Sequence, residues 1–172
     1  FSSCTGDWLD TVKEGTPNES NFWKNDADYI KAVTTLYDCY AYEETWGRDL
    51  FYEQGAGDDI VFGRSRGSSQ MNLAKLKMNG SSEGPIKWVY NQMYETMSAA
   101  NNVIYHALQI PEAKRTPIQK RSLGEAYFMR AFTHYMIAYR YGRPDNGVPF
   151  VKYEDFADYA KQINEIPTQQ AT

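Results

Sequence analysis

The chain has 172 residues, with 18 Lys and Arg against 22 Asp and Glu, a formal charge of −4 and a pI near 5.2. It lacks the basic surplus that neutralises phosphates, which excludes nucleic acid as a main partner. Its 42% hydrophobic and 23% charged residues exclude a disordered chain.

Two Cys cannot build a disulfide framework, and no run of about 18 apolar residues offers a transmembrane helix. The outlying figure is the 15% aromatic content. Aromatics at this frequency either fill a helix-packed core or present flat faces to a ligand.

The chain opens Phe1-Ser2-Ser3-Cys4, a bulky apolar residue, two small residues and Cys. That is the tail of a bacterial lipoprotein signal, in which Cys4 becomes the lipid-bearing first residue. Several acyl chains, at about 0.8 kcal/mol per buried CH₂, hold firmly in a bilayer. An ordinary Cys at a terminus is the alternative. Residues 1–20 then read as signal remnant and surface leader, with Trp8 and Leu9 able to plug into the domain, and residues 21–172 as the helical domain region.

Asn25 or Asp26 can cap a first helix over 26–42, with Ala27, Ile30, Val33, Thr34, Tyr37, Tyr40 and Ala41 on its apolar face. Cys39 inside it reads as a small buried hydrophobe. Residues 43–84 follow as a long irregular excursion carrying seven of the twelve Gly. It also holds Trp46, Phe51, Tyr52 and Phe62, which a disordered linker would lack, so it is read as ordered and as the place to look for a ligand site.

Pro85 opens a second helix over 85–109, striped by Ile86, Tyr90, Met93, Met97, Ala100, Ile104, Ala107 and Leu108. Thr116-Pro117-Ile118-Gln119 carries a capping Thr, Pro at the first helical position and Gln at the third. The third helix runs from there to Tyr141 and stops at Gly142. It bears two apolar stripes, Ala126-Met129-Phe132-Met136-Tyr139 and Phe128-Phe132-Tyr135-Tyr139, which predicts packing on more than one side. The short 110–115 loop makes the second and third helices an antiparallel pair. A weak helix is expected over 153–163. Thr168 reads as the cap of a further helix, so the sequence reads as a fragment.

Catalytic signatures are nearly absent. His106 and His134 have no metal-spaced partners, and His134, between aromatics, reads as a core or rim residue. No phosphate loop, dinucleotide fingerprint or nucleophile elbow appears, and nothing asks for a cofactor or metal. Asp58 and Asp59 are adjacent, which is a weak acid/base pair; they read as a turn satisfying its own backbone, with a cation as the alternative. Asn101 on the second helix's stripe reads as pairing with a backbone group and fixing register. Glu125 and Arg130 face different sides of the third helix, each meeting a neighbouring helix. Trp88, off the stripe, is expected to pack under the loop, with exposure as the alternative. Arg64 and Arg66 near Phe62 could hold sugar hydroxyls or a carboxylate, with a solvated surface Arg as the alternative.

Several motifs occur in a recognisable order. Cys4 is followed by Asp7-Trp8-Leu9-Asp10, Pro17, Gly57-Asp58-Asp59-Ile60, and Trp88, Tyr90 and Met93 leading to Asn101-Asn102-Val103-Ile104. Then come Gly124-Glu125-Ala126-Tyr127-Phe128-Met129-Arg130-Ala131-Phe132, Tyr141-Gly142 and Val148-Pro149-Phe150. The chain resembles the N-terminal region of SusD/RagB-like outer-membrane lipoproteins. The departures are Trp8 where Phe is frequent and Met where Leu or Ile is.

The resemblance implies an all-α fold of TPR-like antiparallel helix pairs with a long irregular loop, about the first third of a larger protein. It implies a non-catalytic, surface-exposed lipoprotein, anchored through Cys4, that binds glycans and delivers them to a SusC-like TonB-dependent transporter. A peptide cargo, as in RagB-like members, is the alternative. It also places ligand residues in the irregular segment before the long helix, which here makes Trp46, Asp59, Phe62, Arg64 and Arg66 the candidates. Aromatic rings stack on the apolar C–H faces of sugars, while carboxylates and guanidinium groups take the hydroxyls. Two other classes remain: a helical-repeat scaffold that binds only protein, and a glycosidase with its carboxylates split beyond this sequence.

Overall fold

The computed structural model describes residues 21–47, 54–61, 63, 68–77 and 84–157. Cys4, Trp8, Leu9, Phe62, Arg64, Arg66, Thr168 and the 158–163 part of the expected last helix lie outside the described residues. Four α-helices form among them: α1 (Asp26–Ala41), α2 (Ser68–Ala74), α3 (Gly84–Gln109) and α4 (Pro117–Tyr141). Within the same residues no strand forms, only a single antiparallel bridge between Arg143 and Asn146. The all-α expectation holds, and the three long helices lie within a residue of their expected ends.

Local chemistry sets these ends. Asn25 caps α1 by accepting from the Asp28 N–H at 3.2 Å, and the Asp28 carboxylate accepts in return from the Asn25 N–H. Thr116 and Gln119 exchange the same pair of bonds at the start of α4. The Thr116 hydroxyl also donates to Asp26 Oδ1 at 2.7 Å, which ties the starts of α1 and α4 together. Between α3 and α4, Arg115 Nε donates to the carbonyls of Ala107 and Ile110 and covers the end of α3.

The α3–α4 pair is antiparallel, as its contacts show. Tyr141 at the end of α4 donates to the Ile86 carbonyl at the start of α3. The core falls into two clusters along this pair. Near the connection, Val33 and Leu36 of α1 pack on Ala100, Val103, Ile104, Ala126 and Met129. At the far end, Val89, Met93 and Met97 meet Met136, Ile137 and Val148. Gly142 ends α4 with ordinary extended dihedrals; glycine is needed because a Cβ there would lie 2.5 Å from the Ala138 carbonyl oxygen.

After Gly142 the chain returns as an irregular strap against α3 and α4. Tyr94 donates to the Pro149 carbonyl at 2.8 Å, and Asn101 and Arg130 both donate to the Val151 carbonyl. Asn101 thus reaches a backbone group, as its place on the stripe implied. Arg130 meets α3 through Asn101, whereas Glu125 pairs with Arg121 of its own helix and faces Tyr37 of α1, whose pKa it raises.

The structure departs from the sequence expectations at five points. The buried face of α1 is Tyr29, Val33, Leu36 and Cys39, while Ile30 and Tyr37 stand half exposed. Both stripes are apolar, and Tyr29 and Leu36 are the ones buried. α4 packs on two sides, against α3 and α1, as expected, and Phe132 of its second stripe is covered by Tyr40 and Trp46, but Phe128, Tyr135 and Tyr139 of that stripe stay exposed. The 43–84 excursion contains α2, whose buried Leu73 anchors it beside α3. Residues 153–157, expected to begin a helix, form a turn, because Tyr153 packs on Tyr127 and under Arg130. Trp88 is not fully covered: it is 42% exposed, and its ring lies over Gly84.

Candidate functional site

α1 ends at Ala41, and a tight turn carries the chain to Trp46. Thr45 holds this turn: its N–H donates to the Tyr42 carbonyl, and its hydroxyl to the Cys39 carbonyl at 2.9 Å. Gly47 closes it so tightly that a Cβ there would sit 2.6 Å from Glu43 Cα. The turn lays Trp46 flat against Phe132 of α4, with ring centroids 6.0 Å apart and planes 8° from parallel. Phe132 is in turn parallel to Phe128, 6.1 Å away. Tyr40 stacks on both Trp46 and Phe132.

This bed is fixed by hydrogen bonds as well as by ring contacts. The Thr133 hydroxyl donates to the Met129 carbonyl at 2.7 Å, so it accepts from the Tyr40 hydroxyl. Burial raises the Tyr40 pKa and Thr133 only partly offsets it, which keeps the phenol neutral and donating. Trp46 remains 50% exposed. A half-exposed indole held in place by ring contacts on Phe132 and Tyr40 can stack on a sugar ring or another flat apolar face.

Of the five expected site residues, Trp46 and Asp59 are described. Asp59 is exposed in the bend after Gly57, and no contact among the described residues joins it to Trp46. The Gly57 N–H on the Gln54 carbonyl, 3.1 Å, closes the turn just before Asp58 and Asp59, and among the described residues no Asp carboxylate bond accompanies it, where a turn satisfied by Asp side chains was expected. Sequence reasoning missed Tyr40, Phe128 and Phe132 as the support of Trp46. The readable signal was the second aromatic stripe of α4, which no core contact was needed to explain.

The two histidines do other work. His106 stacks on Trp23 at 4.5 Å. His134 is only 8% exposed, lies edge-on to Phe150, and neither ring nitrogen has a hydrogen-bond partner among the described residues. Burial, and then the charge of Arg130, push its pKa down. Among the described residues no group of three or more His, Cys, Asp or Glu could hold a metal, and no helix is long and apolar enough to cross a membrane.

A family model described as starch-binding and associating with the outer membrane, the SusD-like model, matches residues 7–171. Neither a search of curated proteins nor one of solved structures finds a match. The match spans nearly the whole chain, and the chain belongs to the SusD-like family.

Proposed function

We propose that the chain is a non-catalytic surface lipoprotein of the outer membrane that captures glycans and passes them to a SusC-like TonB-dependent transporter, with Cys4 carrying the lipid anchor. Trp46, laid flat on Phe132 and half exposed in a family described as starch-binding, is the observation that supports it. In this reading Trp46 is the platform for a sugar ring. Asp59, Phe62, Arg64 and Arg66 of the same excursion are the further candidates for ligand contact, and the antiparallel α3–α4 pair is TPR-like scaffold.

Affinity electrophoresis of the full-length protein through soluble starch, xylan and pectin tests it. Retardation in at least one gel, reduced in Trp46→Ala and in Arg64→Ala, with the glycan recovered uncut, is expected. Equal retardation of both variants and wild type would remove the site. Shortened glycan in the gel would make the protein an enzyme.

A further inference from the structure

α1 and α4 leave a groove of about 360 Å³ between them, within the ordinary span of small-ligand pockets, about 300–1,000 Å³. Ile30, Thr34 and Tyr37 form one wall, Ile118, Arg121 and Glu125 the other. Ile30 and Tyr37 are the apolar positions of α1 that the core does not use, each 51% exposed.

Glu125 accepts from Arg121 Nε at 2.6 Å, and the same carboxylate raises the pKa of Tyr37 across the groove. One donor orients the carboxylate and leaves its other lone-pair positions open to a ligand. The charges of Arg121 and Glu125 cancel, so the groove asks for a neutral ligand rich in hydroxyls. Thr34 has already given its hydrogen to the Ile30 carbonyl and presents only an acceptor.

Glu125, Phe128 and Phe132 follow one another at spacings of three and four on one side of α4. Trp46 lies on Phe132, so the groove and the platform share one strip, roughly 10 Å apart by helix rise.

We propose that the α1–α4 groove is a second saccharide subsite, which takes a neutral sugar ring of the same glycan chain whose other ring rests on Trp46. The C–H face of the ring lies against Ile30, Ile118 and Tyr37, and vicinal hydroxyls meet Glu125 and Arg121. An extended peptide is a poorer occupant, because the backbone groups of the α1 wall are already bonded along the helix. The proposal rests on the glycan-binding reading above.

Calorimetric titration of the full-length protein with maltotriose and maltoheptaose, and with xylotriose and xyloheptaose alongside, separates the two. Wild type is expected to bind the longer member of a pair more tightly. Tyr37→Ala should weaken that longer ligand by about tenfold and leave the shorter one unchanged. Arg121→Ala, at a side chain 80% exposed, should act in the same direction without a folding cost. Wild-type affinity for both lengths in both variants would overturn the groove while leaving the platform. Loss of binding in Trp46→Ala only, with no length dependence in wild type, would do the same. No binding of either pair by wild type would overturn the groove together with the reading beneath it.

Discussion

Arg130 Nε donates to Asn101 Oδ1 at 2.7 Å across the α3–α4 pair, and both side chains also donate to the carbonyl of Val151. The guanidinium lies over the rings of Phe150 and Tyr153, and its desolvation lowers its pKa. Asn101 is fully buried. A buried amide and a half-buried cation thus satisfy each other and hold the returning strap.

Asn101→Ala should destabilise the protein by about 2–4 kcal/mol, since it strips a desolvated cation of one of its two acceptors and opens a buried void. Urea denaturation measures this. Arg130→Lys should not restore the wild-type midpoint, because two acceptors are reached through separate guanidinium nitrogens. A midpoint equal to wild type in either variant would show the contact to be idle.

His134 makes stability depend on pH. Its pKa is held below the ordinary value near 6.5, by burial first and by Arg130 second. The unfolded chain therefore takes up the proton before the folded one does. The stabilisation is complete above about pH 6.5 and is lost as the pH falls below it. His134→Leu should reduce the fall in urea midpoint between about pH 7.5 and pH 5. An unchanged fall would place the acid sensitivity elsewhere.

Gly47→Ala should destabilise by about 1–3 kcal/mol, because the added methyl meets the backbone of Glu43 and not a flexible side chain. Opening that turn also moves Trp46 off Phe132. Quenching of tryptophan fluorescence by iodide should rise along with the loss of thermal stability. A rise in neither would mean that the turn adapts without cost.

Leu76 follows α2 with φ 53°, the left-handed region that favours glycine, and it is 68% exposed. Leu76→Gly should raise stability by about 1 kcal/mol, read from the thermal unfolding midpoint. A fall in the midpoint would show that the leucine makes contacts worth more than its strain.

The long helices were legible because their ends carry their own chemistry: Asn25 with Asp28, Thr116 with Gln119, and Gly142 after Tyr141. Faces were harder to read than helices. On α1, Ile30 and Tyr37 are as apolar as Tyr29 and Leu36, and only the arrival of α3 decides which pair is buried. α2 escaped notice because its seven residues bury one leucine and offer too few turns for a period. Trp46 was identifiable as an aromatic in a loop. Its support was not, since Phe132 lies 86 positions along the chain and spacing carries no information across that distance.

The strap after Gly142 closes the helix pair at a third place. Its carbonyls at Pro149 and Val151 are held by Tyr94 and Asn101 of α3 and by Arg130 of α4, and its Val148 is buried with Met93 and Ile137 in the far-end core. Parting the two helices therefore breaks the strap's bonds to one of them, so the strap acts as a clasp across the pair.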